Sequence, residues 1–158
     1  PVLQAAHARA LINSGDGDAA EHFLRKHIVR QWDSGLVRLY GHARSPKGEE
    51  QLGRAEQWAQ SHNDDPDLLM TLARLCLANK DRKKARDYLL KAARLGDSRE
   101  DYLELGLLLE SMGESDKALQ CYRRGLQSPA SKDSLRLARE SSTTEGELIP
   151  LIDPENGT

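Results

Sequence analysis

The stretch from residue 66 to residue 129 carries one pattern of apolar and small residues twice, at an interval of 33 residues. Ala73 in the first copy corresponds to Gly106 in the second, and Ala85 corresponds to Ala118. Large apolar residues flank each small residue at the same relative positions. Self-similarity at one fixed period constrains a chain to fold as an array of equivalent units, each covering its neighbour.

The same register extends to the N-terminus and defines two helices in each unit. Small residues occupy the positions where two helix axes would cross closely, and larger residues fill the grooves beside them. These residues are Ala8, Gly41, Ala73 and Gly106 in the first helices, and Ala20, Ala85 and Ala118 in the second helices. A period of about 34 residues built from two helices resembles the tetratricopeptide repeat. The sequence therefore predicts an all-α tetratricopeptide-repeat superhelix of about four helix pairs with a C-terminal capping helix.

The repeat register also predicts the domain organisation. We expect a repeat domain at 1–140, with repeats near 1–32, 33–64, 65–97 and 98–130 and a cap at 131–140, followed by a polar tail at 141–158. The second pair fits the pattern least well, because Gly53 falls where Ala is favoured. Pro46 lacks a backbone donor and disfavours helix at the residue before it, so the first helix of that pair should end early.

The composition favours helices and argues against several other classes of protein. Aromatic residues make up 4 % of the chain, whereas β-sheets draw heavily on β-branched and aromatic residues. A net charge of −2 gives no overall attraction to nucleic acid or to an anionic membrane. No apolar run approaches the length that spans a bilayer. The first residue is Pro1 rather than Met, which suggests an excised piece of a longer protein, so that a membrane anchor or targeting signal could lie in the part left out.

Motifs that suggest chemistry have simpler structural explanations. GDGDAA at residues 15–20 fits a dinucleotide-binding pattern, but a helix precedes it where that pattern needs a strand. The five histidines lack a helical metal-binding spacing, and Cys76 and Cys121 are interpreted as buried hydrophobic residues rather than a disulfide. The run KDRKKAR at residues 80–86 is interpreted as a solvated helix face, with an acidic lipid or protein partner as the alternative. We therefore expect no enzymatic activity, no metal, no cofactor and no binding to nucleic acid.

The tetratricopeptide resemblance implies where a partner would bind. In that class the first helix of each pair lines a concave groove, and positions 2, 5, 9 and 12 of each repeat point into it. Mapped onto this chain, the candidate partner-binding residues are Arg9, Arg38, His42, Met70, Arg74, Leu77, Leu103 and Glu110. Arginine forks bind carboxylates, whereas Glu100, Glu104 and Glu110 give the other end an acidic character. We hypothesise a groove with one basic and one acidic end that holds an extended or helical protein segment. The alternative is a polar face without a ligand.

Longer phrases resemble the C-terminal half of the HemY family of proteobacteria. They are LVRLYG at 36–41, QLGRAEQWAQSHNDDPDLLMTLARLCL at 51–77, KARDYL at 84–89, and YLELGLLLESMGE and YRRGL between 102 and 126. The resemblance implies a repeat scaffold on the cytoplasmic face of the bacterial inner membrane, held by an N-terminal anchor absent from this chain, which binds enzymes of late haem biosynthesis. An unrelated flavin-dependent protoporphyrinogen oxidase has carried the same name, but this chain lacks the βαβ dinucleotide unit which that enzyme needs.

Other functions stay open at the level of the sequence. Direct binding of haem or porphyrin would need a His, Cys or Met ligand in an apolar slot, and His42 near Met70 is the placement that the repeat register suggests. A general tetratricopeptide adaptor unrelated to haem would use the same groove for another protein. An enzyme would need a clustered polar pocket, which the sequence does not indicate.

Overall fold

The computed structural model describes residues 2–95 and 99–128, and within these ranges helices joined by turns account for the chain. The helices are α1 (Val2–Asn13), α2 (Gly17–Arg30), α3 (Ser34–Tyr40), α4 (Gly48–Trp58), α5 (Pro66–Ala78), α6 (Arg82–Leu95), α7 (Arg99–Ser111) and α8 (Ser115–Gln127). They form four consecutive pairs, so the predicted all-α class is confirmed. The predicted cap at 131–140 and tail at 141–158 lie outside the described residues.

Aspartate side chains cap the start of four of the described helices, and Asp81 does so for α6 by accepting from the backbone amide three residues ahead at 3.1 Å. Asp16 and Asp33 each accept a hydrogen bond from the backbone amide three residues ahead, at 3.0 and 2.9 Å. Asp65 accepts bonds from two amides and precedes Pro66, which is well suited to the first helical position. Each cap accepts a hydrogen bond from a backbone amide that has no partner within the helix, and it stabilises the helix by about 1 kcal/mol. The GDGDAA motif is accordingly a helix–helix turn, with Asp16 as its cap.

Small residues lie where the helices cross. Buried residues at these crossings include Ala8, Ala20, Gly41, Ala73, Ala85, Gly106 and Ala118. A methyl group at Gly106 would overlap the ring of Tyr122, and one at Gly41 would lie 3.1 Å from the Cα atom of Thr71. The second helix of each pair packs on the next pair, and α1, α3 and α5 also pack in succession. The array is thus built by repeated nearest-neighbour stacking.

The hydrophobic core runs along the array as two adjoining clusters. The first cluster centres on Tyr40 and Leu72, and the second extends from α5 to α8 around Leu89 and Leu109. Tyr88 packs against both clusters and joins them. A continuous core of this kind makes each pair depend on its neighbours for burial of its apolar face.

Both cysteines are buried with free thiols. Burial raises the pKa of Cys76 to about 12, and it also raises the pKa of Cys121. Since the thiolate is the reactive form, these two residues act as small hydrophobic side chains and not as nucleophiles.

The short helix α3 is held by side chains of neighbouring helices. It has 7 residues, against 13 in α5. Gln51 Nε2 donates to the carbonyl oxygens of Tyr40 and Ala43 at 3.0 and 2.9 Å, and Thr71 Oγ1 donates to the carbonyl oxygen of Val37 at 2.7 Å. Carbonyls in the last turn of a helix have no partner within it. The two buried polar side chains therefore compensate for the poor repeat match of the second pair.

Candidate partner-binding groove

The first helices of successive pairs share one face, which is the candidate groove. On this shared face, α3 packs against α1 and α5. The side chain of Arg38, on α3, contacts residues of both α5 and α7. We define the groove by Arg38 of α3, His42 in the turn just after α3, Arg74 of α5, and Glu104 and Leu107 of α7. The groove therefore spans the second, third and fourth pairs.

Arg38 is the centre of a charged network in this groove. Its Nε lies 2.9 Å from Oδ1 of Asp67, and its Nη2 lies 2.7 Å from Oδ1 of Asp101 and 3.2 Å from Oε2 of Glu104. The side chain is 32 % exposed. A single ion pair at such a site contributes up to about 1 kcal/mol, but several charges in one network contribute more reliably than an isolated pair. One arginine thereby connects three helices from three different pairs.

Arg74 lies deeper in the groove and forms an ion pair with Glu104, so that this carboxylate bridges two arginines. The Arg74 side chain is 10 % exposed. Burial, followed by the charge of Arg38, lowers the pKa of Arg74 to about 10, which still leaves it charged at neutral pH. Burial raises the pKa of Asp67, against the opposing influence of Arg38. Burial thus disfavours the charged form of both residues, and the opposite charge of Arg38 near Asp67 and of Asp67 near Arg74 acts against it.

The imidazole of His42 is neutral at physiological pH, although the residue is exposed. Desolvation of the ring, followed by the charges of Arg74, Arg38 and Arg44, lowers the pKa of His42 to about 4. A neutral imidazole can donate one hydrogen bond and accept another. His42 can thus contact a partner's backbone without adding charge to the groove.

The basic and acidic ends expected from the sequence meet each other in the structure. Arg38 and Arg74, from the basic end, both contact Glu104, from the acidic end. Two further candidates lie away from this network, since Arg9 is exposed on α1 and Leu77 is half-buried near the end of α5. The groove is consequently a belt of alternating charges and not two separate fields of opposite sign.

Met70 cannot serve as a groove residue, which corrects the sequence prediction. It is 1 % exposed and packs in the second core cluster with Leu105 and Leu109 of α7. Helix α7 of the next pair covers this position, whereas the equivalent position on α7 itself is exposed. Met70 therefore neither faces a partner nor pairs with His42 as a haem ligand.

The α7 side of the groove offers apolar area beside carboxylates. Leu103 and Leu107 lie one helical turn apart and are 52 % and 55 % exposed. Almost one turn further along, Glu110 accepts a hydrogen bond of 2.7 Å from the hydroxyl of Tyr122. That bond is the main cause that raises the pKa of Tyr122 to about 12. Leu103 and Glu110 are thus both accessible, in the places that the repeat register gives them.

Sequence reasoning missed two members of the charged network, Asp67 and Asp101. Both lie in the first turn of a helix, where their sequence context indicates only capping and solvation. Asp101 is 63 residues from Arg38. No local spacing links residues so far apart, because they are brought together by the angles at which the second, third and fourth pairs stack. The sequence held one signal for this network, since one groove arginine is followed by acidic residues about one and two repeats later.

The basic run at residues 80–86 is largely engaged with neighbouring helices. Lys84 Nζ lies 3.3 Å from Oε1 of Glu56, and Arg86 Nε lies 2.6 Å from Oε1 of Glu114. Both pairs are partly exposed, so the run is a solvated face that also links adjacent repeats.

The part of the chain that the structure describes contains no group of three or more His, Cys, Asp or Glu side chains arranged to hold a metal ion. The carboxylates of the groove are instead balanced by arginines. Among the helices at 2–95 and 99–128, none combines the length and the hydropathy needed to cross a membrane.

Four stacked helix pairs, with small residues at their crossings, define a tetratricopeptide-repeat superhelix. A family model described as a tetratricopeptide repeat matches residues 102–131. The fold is similar to the crystal structure of MamA, with a TM-score of 0.51 and 15 % sequence identity, over 86 % of this chain and 79 % of that chain. No curated protein matches the sequence. These comparisons support the fold and do not extend to the HemY resemblance.

Proposed function

We propose that the chain is a non-enzymatic scaffold whose groove holds a segment of a partner protein, and that the partner is an enzyme of late haem biosynthesis. The tetratricopeptide fold supports a protein-binding role, because stacked helix pairs create an extended concave surface. The HemY resemblance between residues 36 and 126 supports the choice of pathway.

The accessible ion-pair network is the observation that carries the binding role. The side chains of Arg38 and Glu104 are 32 % and 27 % exposed, so a partner's charged groups can reach both the positive and the negative charge. Ion pairs at this exposure are worth little individually, and exchange with a partner's side chains is therefore inexpensive. A segment with mixed charges beside apolar residues fits this network together with Leu103 and Leu107.

A pull-down with the 158-residue chain as bait tests this function. Detergent-solubilised membrane and cytosol would be passed over the bait, and the captured proteins would be identified by mass spectrometry. Leu107→Lys would place a charge on the exposed apolar part of the groove. Leu119→Lys is the matched control, because Leu119 is 47 % exposed on α8, outside the groove.

We expect enrichment of late haem-pathway enzymes that is lost with Leu107→Lys and retained with Leu119→Lys. If unrelated proteins are captured and their capture depends on Leu107, the groove would be supported as the binding site and the haem pathway would be rejected. Equal capture by both variants would reject the groove itself.

We further propose that the scaffold works on the cytoplasmic face of the bacterial inner membrane, held by an anchor outside these 158 residues. The HemY resemblance is what supports this location. Fractionation of the complete protein in cells would test it, and recovery in the soluble fraction would contradict it.

A further inference from the structure

A cavity of about 220 Å³ lies between α6 and α8, the second helices of the third and fourth pairs. We call it the outer cavity, because the candidate groove is formed by the first helices. Its residues are Leu90, Ala93, Arg94, Leu109, Lys117, Gln120, Cys121 and Arg124. Both walls belong to described helices of adjacent pairs, so the outer cavity is a junction within the array and not an end of it.

The preceding junction, between α4 and α6, shows why the outer cavity exists. Cys121 follows Tyr88 by 33 residues, so the two occupy the same position of successive repeats. The ring of Tyr88 packs against both core clusters. Burial, followed by the charge of Glu56 on α4, raises the pKa of Tyr88, as expected for a ring at this junction. Cys121 has one sulfur atom in place of that ring, and the next junction is therefore underfilled.

Three cations line the outer cavity, and among the described residues no acid does so. Lys117 lies 3.4 Å from Glu114, whereas Arg94 and Arg124 form no ion pair within the part of the chain that the structure describes. The floor is apolar, since it contains the fully buried Leu109. The outer cavity thus combines an apolar floor with uncompensated positive charge at its rim.

The C-terminal part of the sequence has the complementary composition. Residues 141–158 contain four acids and neither Lys nor Arg, so they carry −4, whereas the other 140 residues together carry +2. The stretch ELIPLID at 147–153 places four large aliphatic residues between Glu147 and Asp153. Aliphatic side chains with a carboxylate at either end match both the floor and the rim of the outer cavity.

The described chain ends beside the outer cavity. Arg124 lies one helical turn before Ser128, the last described residue. The connecting residues 129–144 can span at most about 50 Å, or about 35 Å if 131–140 form the predicted capping helix. With 13 residues, α8 is about 20 Å long. The stretch at 147–153 is therefore within reach of the outer cavity in either case.

We propose that residues 145–155, here called the tail segment, bind in the outer cavity of their own chain. The aliphatic side chains fill the space beside Cys121, and the carboxylates pair with Arg94 and Arg124. The tail segment then joins the third and fourth pairs, as Tyr88 joins the second and third. The proposal does not depend on what the candidate groove binds.

Paramagnetic relaxation in the complete 158-residue chain tests the proposal. A nitroxide would be attached to Gly146→Cys, because Cys76 and Cys121 are both buried and leave the new thiol as the accessible one. Broadening of backbone amide signals in the NMR spectrum then shows which helices lie near the tail segment. The test variant adds Leu148→Ser with Ile149→Ser, which leaves every charge unchanged. The matched control adds Leu3→Ser with Val29→Ser, at two exposed aliphatic residues outside the cavity.

We expect loss of the amide signals of Leu90, Arg94 and Gln120, while signals of α1 and α2 remain. The test variant should recover the lost signals, because burial of its two aliphatic side chains holds the tail segment in place. The control variant should give the same broadening as the labelled chain without further changes.

A charge exchange separates ion pairing from apolar burial. Glu147→Lys with Asp153→Lys should also recover the signals, since it places cations against Arg94 and Arg124. Addition of Arg94→Glu with Arg124→Glu to that variant should restore the broadening. Failure of this rescue would contradict the assigned pairing.

Absence of broadening in α6 and α8 would overturn the proposal, as would broadening that the Leu148 and Ile149 changes leave intact. Labelled chain would also be mixed with unlabelled chain that carries nitrogen-15. Broadening in the nitrogen-15 chain would assign the outer cavity to the tail segment of a second copy and likewise overturn it. Circular dichroism of each variant would establish that the helices are intact.

Discussion

The guanidinium of Arg38 lies 2.7 Å from the carboxylate of Asp101, although 63 residues separate them in the chain. The first residue belongs to the second helix pair and the second residue to the fourth. A direct bond across an entire intervening pair requires that the superhelix curves towards this face. The ion pair is therefore a sensitive reporter of the angle at which the pairs stack.

Replacement of Arg38 by Met should reduce the free energy of unfolding by about 1–2 kcal/mol. The change removes the cation that Asp67, Asp101 and Glu104 share, while Glu104 keeps its ion pair with Arg74, and neighbouring carboxylates without their common cation are unfavourable at a partly buried site. Urea denaturation, followed by circular dichroism, would measure this loss of free energy of unfolding. Arg9→Met, at an exposed position of α1, should stay within about 0.5 kcal/mol. Equal effects of the two changes would mean that the network contributes nothing specific.

Two glycines should respond to alanine in opposite directions. Gly106→Ala should destabilise the fold by about 1–3 kcal/mol, because the new methyl group overlaps the ring of Tyr122. Gly53→Ala, in α4, should stabilise it by about 0.5–1 kcal/mol, since no atom lies within 4 Å of its methyl group and Ala favours helix. Thermal unfolding of both variants would check the pair. A stabilising Gly106→Ala would refute the close helix approach.

Asp65 should matter far more than its neighbour Asp64. Its carboxylate accepts bonds from Trp32 Nε1 at 2.9 Å and Ser34 Oγ at 2.7 Å, besides two backbone amides of α5. Asp65→Ala should therefore lower the free energy of unfolding by about 2–4 kcal/mol, through a lost cap and a stranded indole donor. Asp64→Ala, at an exposed site, should change it by less than about 0.5 kcal/mol. Chemical denaturation of the two variants under one buffer gives the comparison, and similar losses would contradict this role.

His42 should titrate with a pKa of about 4, well below the ordinary 6.5. Between these two pH values the folded chain binds fewer protons than the unfolded chain. The contribution of His42 therefore increases the free energy of unfolding as the pH rises from 4 to 6.5, and this contribution is lost when the pH is lowered through the same range. The NMR chemical shift of the ring Cε1 proton against pH would give the midpoint directly. Arg74→Met removes a neighbouring cation and should raise this pKa. A midpoint near 6.5 in the unmodified chain would disprove both the desolvation of the ring and the influence of the arginines.

Local sequence signals sufficed for the helices because their causes are local. The period that relates Ala73 to Gly106 reflects the space at a helix crossing, and a crossing recurs in every pair. Asp65 before Pro66 marks a helix start through bonds that reach no further than three residues. Signals of this range can be recognised in a single sequence.

The candidate groove required the coordinates, since its contacts depend on how the pairs stack. Arg38 and Glu104 were both recognisable as groove residues, but their mutual contact depends on the curvature of the whole array. The burial of Met70 has the same origin, because α7 covers a position that the repeat register alone places on the surface.

The brevity of α3 has a consequence for recognition along the array. A row of identical repeats would let a bound segment slip by one unit and find the same contacts again. With 7 residues instead of 13, α3 is about 9 Å shorter than α5 at the rise of a standard helix. A loop, fastened by Gln51, fills the remaining distance. If the groove binds a segment as proposed, the second pair would give it a landmark that defines a single register and direction for that segment.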